Sequence, residues 1–358
     1  MKYRQLGKTN LKVSEIGIGT WQLAGDPGAW AWAHSDYAES YKSLVKFSEA
    51  GGNFIDTAWV YGHNNDKPGN HPSEEMIGKF LKEHGPRDKY IVATKIPPKN
   101  FKWPAWQGIP ITEVFTPDWI EKCTDESLKS LGVETIDLMQ FHVWQDDFVS
   151  DDGWKTAIQK LTKAGKVKYW GISINDYQPS SCLKTLDTGL ISSIQFIFNL
   201  WHQKPVTTLL PYAAKHKIGL IARVPLDEGG LSGKIDTETK FVEGDFRNMY
   251  FGGDRKKQLI DRIEKIKSLF GKEANSILEL NFRWILSHPE ISTTIPGMRK
   301  VPHVESNLAF SDGKHLSKEL MEELAKHSWE RNFYSDPLDP SGGSWVDPAL
   351  KASGFVEP

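Results

Sequence analysis

The sequence predicts an α/β chain built as a single (β/α)8 TIM barrel over residues 1–328, with an N-terminal hairpin, long loops on the face that would carry chemistry, and a C-terminal tail over 329–358. Three observations predict it. Eight apolar, β-type runs alternate with amphipathic stretches up to about residue 310, and strand-then-helix repetition calls for parallel pairing. No linker interrupts the alternation, whereas two doubly wound domains would want a break near the middle. The chain of 358 residues exceeds the roughly 250 typical of such a barrel, and the excess collects in three places: 96–115, 224–253 and the tail. Long segments of this kind in a compact domain are usually lids or binding loops.

Taken in order, the polar opening turns at Gly7-Lys8-Thr9-Asn10, which reads as a short hairpin. The candidate strands follow at 15–19, 53–56, 90–95, 136–142, 169–174, 193–198, 219–223 and 291–295. Between them lie stretches with helix signals. Pro72-Ser73-Glu74-Glu75 opens one that reaches Leu81, and Thr116-Pro117-Asp118 opens another that stops at Ser130-Leu131-Gly132. A hydroxyl N-cap, proline in the first turn and glycine just past the end are the boundary chemistry of a helix.

Charge and composition exclude several functions. Forty-four basic residues against 46 acidic ones leave a formal charge of −2 with no basic block, so neither nucleic acid nor an anionic membrane is an expected partner. A small neutral or anionic ligand fits better. No apolar run approaches the roughly 18 residues of a membrane span, and Met1-Lys2-Tyr3-Arg4-Gln5 lacks an apolar signal segment; a cytoplasmic location is expected. Cys123 and Cys182 form no CxxC and fall in stretches that read as amphipathic helices, which makes both reduced bystanders. His63, His71 and His142 have no HxH or HExxH spacing, so no metal is expected. Gly171-Ile172-Ser173-Ile174-Asn175 is no nucleophile elbow, because its fifth residue is not glycine.

Barrel enzymes build their active face from the carboxyl ends of the strands, and here several runs end polar. The second ends at Asp56, the third at Lys95, the fourth at His142, the fifth at Ser173 and Asn175, the sixth at Asn199 with Gln195 further in, and the seventh at Arg223. Tyr61 follows Asp56 closely enough to return over the mouth. Asp56 and Lys95 alone also admit a bland reading, an ion pair capping the core. Tyr61 and His142 alone would read as an ordinary aromatic and a core histidine. All four on one face form a proton-handling group, since an ammonium near a phenol favours the phenolate.

These residues resemble the aldo-keto reductase superfamily, in its bacterial-type branch, over roughly residues 1 to 330. The likeness rests on Gly19-Thr20-Trp21, Phe54-Ile55-Asp56-Thr57-Ala58 with Tyr61-Gly62, Thr94-Lys95, Gln140-Phe141-His142, Gly171-Ile172-Ser173 with Asn175, and Ile295-Pro296-Gly297-Met298-Arg299. The resemblance implies a nicotinamide-dependent carbonyl reductase with the tetrad Asp56, Tyr61, Lys95 and His142. Tyr61 would be the general acid, Lys95 held by Asp56 would lower its pKa, and His142 would orient and polarise the carbonyl.

The same resemblance implies an NADP(H) site. Gly17-Ile18-Gly19 begins like a dinucleotide fingerprint, but Gln22 occupies the third required position, so the pyrophosphate is held otherwise. Ser173, Asn175 and Gln195 match the nicotinamide carboxamide site, joined by Gly19, Thr20, Trp21 and Asp56. Leu226, Gly230, Ser232 and Lys234 match a loop crossing the pyrophosphate. Gly297, Met298, Arg299, Lys300 and Asn307 match the adenosine-phosphate end. Two positions depart from the family. Arg223 stands where many relatives have a stacking aromatic, so stacking falls to Arg223, Phe198 or Trp21. His303 stands where many NADP-using members have arginine, so NADP preference rests on Arg299 and Lys300.

The expected partner is a small carbonyl or alcohol substrate, and the chain is expected to be a monomer or weak homo-oligomer. Of 14 tryptophans, Trp21, Trp30, Trp32, Trp59, Trp103, Trp106, Trp144 and Trp201 follow strand ends and predict an aromatic cleft for apolar aldehydes or sugar faces, although about half would merely pack loops. Trp329, Phe333, Tyr334 and Trp345 predict that the tail is an ordered arm over that face. The alternative function is a regulatory or interaction protein that senses nicotinamide redox state on the same fold; an intact tetrad argues against it.

Overall fold

The structure is a computed structural model describing residues 1–23, 36–62, 69–105 and 108–329. Strands β1 (Tyr3–Gln5) and β2 (Lys12–Ser14) form the antiparallel hairpin, with Tyr3 opposite Ser14. The barrel strands are β3 (Ile18–Gly19), β4 (Phe54–Asp56), β5 (Ile91–Ile96), β6 (Ile136–Phe141), β7 (Val167–Ser173), β8 (Ser193–Ile197), β9 (Gly219–Arg223) and β10 (Ile291–Thr294). They form one eight-stranded sheet in sequence order. Every pairing within it is parallel. Parallel bridges Ile16–Thr294 and Gly19–Gly297 bring its two edges together. Gly17 N donates to Thr294 O at 2.8 Å and Gly19 N to Pro296 O at 3.0 Å. Strands β4, β5, β6 and β8 are buried at every position, as expected where helices cover one side and a filled interior the other.

The helices are α1 (Tyr37–Glu49), α2 (Pro72–Glu83), α3 (Ile111–Val114), α4 (Pro117–Leu131), α5 (Gly153–Lys163), α6 (Leu183–Leu186), α7 (Leu209–His216), α8 (Arg247–Tyr250), α9 (Arg255–Ile266), α10 (Ile277–Leu286), α11 (Val301–Leu308) and α12 (Lys318–Ala325). The boundary signals act as read. The Thr116 hydroxyl accepts from Trp119 N, Pro117 starts α4, and Gly132 at φ 62° ends it. Cys123 lies within α4 and Cys182 at the entrance of the short α6, outside a helix body. Asp146, from the loop after β6, caps α6 by accepting from Lys184 N and Thr185 N, both at 2.8 Å. Both cysteines are buried and free, and burial pushes both thiols far up. Among the described residues no helix is long and apolar enough to cross a membrane.

The hairpin closes the amino end of the barrel. Leu6, Leu11 and Val13 pack with Phe54, Ile91, Ala93, Leu138 and Ile221 in one cluster. Gly7 permits this: at φ 56° it lies so close that a Cβ would come within 2.2 Å of Gly219 N. Apolar side chains thus plug that end of the barrel.

One buried acid lies apart from that opening. Glu74 on α2 is fully buried and accepts from the Thr94 hydroxyl at 2.5 Å. Burial raises its pKa from 4.5 to about 7 despite the Thr94 and Ser127 hydroxyls. The unfolded carboxyl ionises first, so stability falls as pH rises from about 4.5 to about 7 and stays reduced above. Glu74→Gln is therefore expected to stabilise the chain at about pH 8, by about 3 kcal/mol, and to change little near pH 4.5. Urea melts of the two proteins at both pH values check this; an equal change at both would refute it.

Candidate active site

The site begins with Lys95, whose side chain points into the barrel and is fully buried. An ammonium has three N–H donors, and all three are engaged. Nζ lies 2.6 Å from Asp56 Oδ2, 2.7 Å from the Thr57 carbonyl and 3.2 Å from Tyr61 Oη. Local backbone bonds bring Tyr61 there. Thr57 N donates to Ala93 O at 2.8 Å and Trp59 N to Lys95 O at 3.2 Å, so the chain leaving β4 stays beside β5. A tight turn, Tyr61 N to Ala58 O at 3.1 Å, then folds the phenol over the mouth. His142, just past β6, presents its ring edge-on to Tyr61 with centroids 5.8 Å apart. The four predicted proton-handling residues thus meet at one place.

Electrostatics sets their states. Burial pushes the Lys95 ammonium down, but the Asp56 carboxylate and Tyr61 more than offset it, so its net shift is upward. Burial raises the Tyr61 phenol above its ordinary value, and Lys95 and Arg223 only partly oppose this. Lys95 lowers the phenol's pKa as expected, but desolvation outweighs it, so the net shift of Tyr61 is upward. Burial, with Lys95 and Arg223, holds His142 well below its usual pKa, leaving a neutral imidazole. Its Nδ1 is buried without a partner among the described residues.

The remaining predicted positions surround this group. Ser173 ends β7, Asn175 follows it and Gln195 lies in the middle of β8, all three buried. The Asn175 amide makes a two-point contact with Ala105, accepting from its N–H at 3.0 Å and donating to its carbonyl at 2.9 Å. Gln145 Nε2 donates to the same carbonyl at 2.6 Å. The long loop after β5 is thereby fastened across the face, and Trp103 Nε1 donates to His142 O at 3.1 Å. Thr20 holds the end of β4 through Asp56 O, with N at 3.0 Å and Oγ1 at 2.9 Å. Trp21 is half-buried, its ring centroid 5.8 Å from Phe246 of the 224–253 segment. Gly19 carries the bridge to Gly297, whose own Cβ would fall 2.2 Å from Gln22 Oε1.

In the loop after β9, Leu226 and Ser232 are half-buried, Gly230 is buried and Lys234 is exposed. Val224, Asp227 and Glu228 take left-handed φ of 50°, 52° and 53°, strain of the kind that clusters at ligand sites. Arg299 is half-buried, and its guanidinium is disfavoured by burial and by Arg247. Lys300 pairs with Glu39 at 3.9 Å. His303 is held below its usual value by burial and by Lys234, Arg299 and Lys300. These cations therefore gather at the start of α11, which also buries Asn307. Sequence reading missed Arg247, which pairs with Asp245 at 2.7 Å; its separation from β10 left no local signal.

Two expectations change. Phe198 is fully buried, its ring 4.6 Å from Trp284 and 5.2 Å from His288, so it faces the helical shell and is withdrawn as a stacking partner. The Met298 side chain is likewise wholly in the core, which leaves only its backbone for a ligand. Arg223 does lie at the mouth, but its Nη2 is anchored to Ile174 O at 2.8 Å and Asp176 Oδ1 at 2.5 Å. The tryptophans divide. Trp59, Trp144 and Trp201 are buried packing residues, the first two donating to Glu126 at 2.9 Å and Thr185 at 2.8 Å. Trp21 and Trp103 are half-buried at the face, while Trp30, Trp32 and Trp106 lie outside the described residues, as does His63. Trp329 N donates to Trp201 O at 2.7 Å; the tail beyond it lies outside the described residues.

Comparison with known proteins gives the family and agrees with the barrel fold. The profile of the Aldo/keto reductase family matches residues 15–328. The chain is 29% identical over 346 residues to the aldo-keto reductase YhdN of Bacillus subtilis, covering 95% of this chain and 97% of that one. It is 26% identical over 322 residues to the NADH-specific methylglyoxal reductase of Escherichia coli, covering 86% and 93%. The structure of a glycerol dehydrogenase from Gluconobacter oxydans superposes with a TM-score of 0.72 at 27% identity, covering 94% and 98%. A match that runs from the first barrel strand to beyond the last, over a fold and residue set already in place, makes this chain a member of the aldo/keto reductase family.

Proposed function

We propose that the chain reduces aldehydes or ketones to alcohols with a nicotinamide cofactor, Tyr61 serving as the general acid. The observation that carries this reading is the Lys95 ammonium, whose three donors join Asp56, Thr57 and Tyr61. When bound, the cofactor supplies the hydride. The chain's own residues handle the proton and the oxygen. Tyr61 donates its phenolic proton to the carbonyl oxygen, and the phenolate left behind is stabilised by the adjacent Lys95 ammonium. His142, kept neutral, suits an uncharged donor that orients the carbonyl without competing for the proton. Trp21 and Trp103 supply apolar walls at the mouth.

The residues present fit such a cofactor. Ser173 offers a hydroxyl for a carboxamide, and Asn175 the remaining lone pair of its Oδ1, its amide hydrogens being taken by Ala105 and Gln178; Arg223 offers a planar cation for stacking. The cations around α11 suit phosphate. Named relatives include an NADH-specific enzyme, so the choice between cofactors falls to these residues. Arg299 and Lys300 favour NADPH. NADPH is expected to bind roughly 10- to 100-fold more tightly than NADH, and Arg299→Ala should narrow the gap. Fluorescence titration checks both; equal affinities in the unaltered protein would remove these residues from the site.

Relatives named for methylglyoxal and glycerol make small oxygenated aldehydes, ketones and sugar-like polyols the first substrates to assay. Loss of nicotinamide absorbance with any of these substrates tests the reading. Absence of turnover with both NADPH and NADH across the whole panel would overturn it.

A further inference from the structure

Gln195 is engaged in a way that its expected contact with a carboxamide does not explain. Its Nε2 donates to Asp56 Oδ1 at 2.7 Å and to Gln140 Oε1 at 3.3 Å. Gln140 Nε2 lies 3.4 Å from the same Asp56 oxygen. All three side chains are buried. The amide orientation is fixed by chemistry, since a carboxylate beside Lys95 is an acceptor only and must face the nitrogen. Both N–H groups of Gln195 are therefore committed inside the barrel, and only its Oε1 remains for a ligand.

The barrel builds this contact deliberately. Asp56, Gln140 and Gln195 stand on β4, β6 and β8, the alternate strands that fill one layer of a barrel interior. Gly171 on β7 lies between the two glutamines, paired with Gln140 on one side and Ser193 on the other. A Cβ there would come within 2.4 Å of Ser193 Oγ and 3.2 Å of Gln140 Cγ. The absent side chain leaves room for the amides to cross to Asp56.

We propose that Gln195, oriented by Gln140, is a positioning residue of the proton relay: it fixes the Asp56 carboxylate so that Lys95 stays within reach of Tyr61. This rests on the reductase reading above. The two oxygens of Asp56 divide the work, Oδ2 holding Lys95 and Oδ1 held by the amides. Without the amides the carboxylate turns to satisfy Oδ1, and it draws Lys95 Nζ with it. The Tyr61 contact, the longest of the three, is the first lost.

The test is Gln195→Met, which keeps shape and removes the donors, with Gln140→Met as a second variant that touches Gln195 rather than a ligand. The buried Lys95 ammonium is observed in the cofactor-free protein by proton–nitrogen NMR and assigned by its loss in Lys95→Met. The proposal expects that resonance to shift or broaden in both variants. It also expects a turnover at least about tenfold lower in Gln195→Met, with the alkaline fall in carbonyl reduction moved up by about one pH unit because the phenol loses its cation. Cofactor affinity, read by fluorescence, should change less than about threefold in Gln140→Met, whereas in Gln195→Met it falls as well, because the Oε1 left for a ligand is removed.

An unmoved ammonium signal and pH profile, with or without weakened cofactor binding, would overturn the proposal. If Gln195→Met fails to fold, Gln140→Met decides by the same two readouts. Failure of the reductase reading is separable, because it would appear as an active Tyr61→Phe whatever the ammonium signal does.

Discussion

Tyr61→Phe is expected to lose roughly 100- to 10,000-fold in turnover, the range for removing a general acid, while binding the cofactor almost as before. The ring stays and keeps its edge-on contact with His142, so the pocket wall is preserved. Only the hydroxyl goes, and with it the acceptor of the 3.2 Å contact from Lys95. Single-turnover reduction with pre-bound cofactor is the informative measurement, because it isolates chemistry from cofactor release. A variant that retained more than about a tenth of the single-turnover rate would leave the proton to another group, and the role assigned to Tyr61 would not survive.

Lys95→Met is expected to act on stability and turnover together. Removing the ammonium leaves the Asp56 carboxylate, 2% exposed, with only amide donors in a low-dielectric interior. Breaking a buried pair from one side costs about 3–5 kcal/mol. Turnover should fall at least as far as in Tyr61→Phe, since the cation that limits the rise of the phenol is gone. A second substitution separates the two effects. Lys95→Met with Asp56→Leu replaces the pair by apolar groups, and such replacements are often neutral for stability. Denaturant melts should therefore recover in the double variant while turnover does not. A single variant as stable as the unaltered protein would contradict the buried-pair account, and a double variant with restored turnover would remove Lys95 from the chemistry.

Much of this site was legible because its signals are local. A strand's side chains alternate with a period of two, and a barrel strand must end where its apolar run ends. Asp56, Lys95, His142, Ser173 and Arg223 could therefore be assigned to one face from position alone. The same local logic fixed α4, whose cap, proline and glycine lie within its own sequence. The folded strands stay within one residue of these limits except at two starts: β3 begins only at Ile18, and β7 begins earlier, at Val167, where its first residue is already buried.

The tertiary structure decided which atoms are already taken. Asn175 meets Ala105 across 70 positions and Gln195 meets Asp56 across 139, separations at which no sequence periodicity specifies a partner. Phe198 follows β8 at the right height for the mouth, yet the chain turns its ring to Trp284, because apolar area is removed from water more completely under a helix than at an open rim. The direction of the Tyr61 shift was out of reach for the same reason. A charge partner can be read from the sequence, but desolvation depends on everything packed around the phenol, and here it outweighs Lys95. The sequence by itself determined the barrel, its open end and the residue types gathered there; packing between distant segments determined their protonation and their remaining free donors.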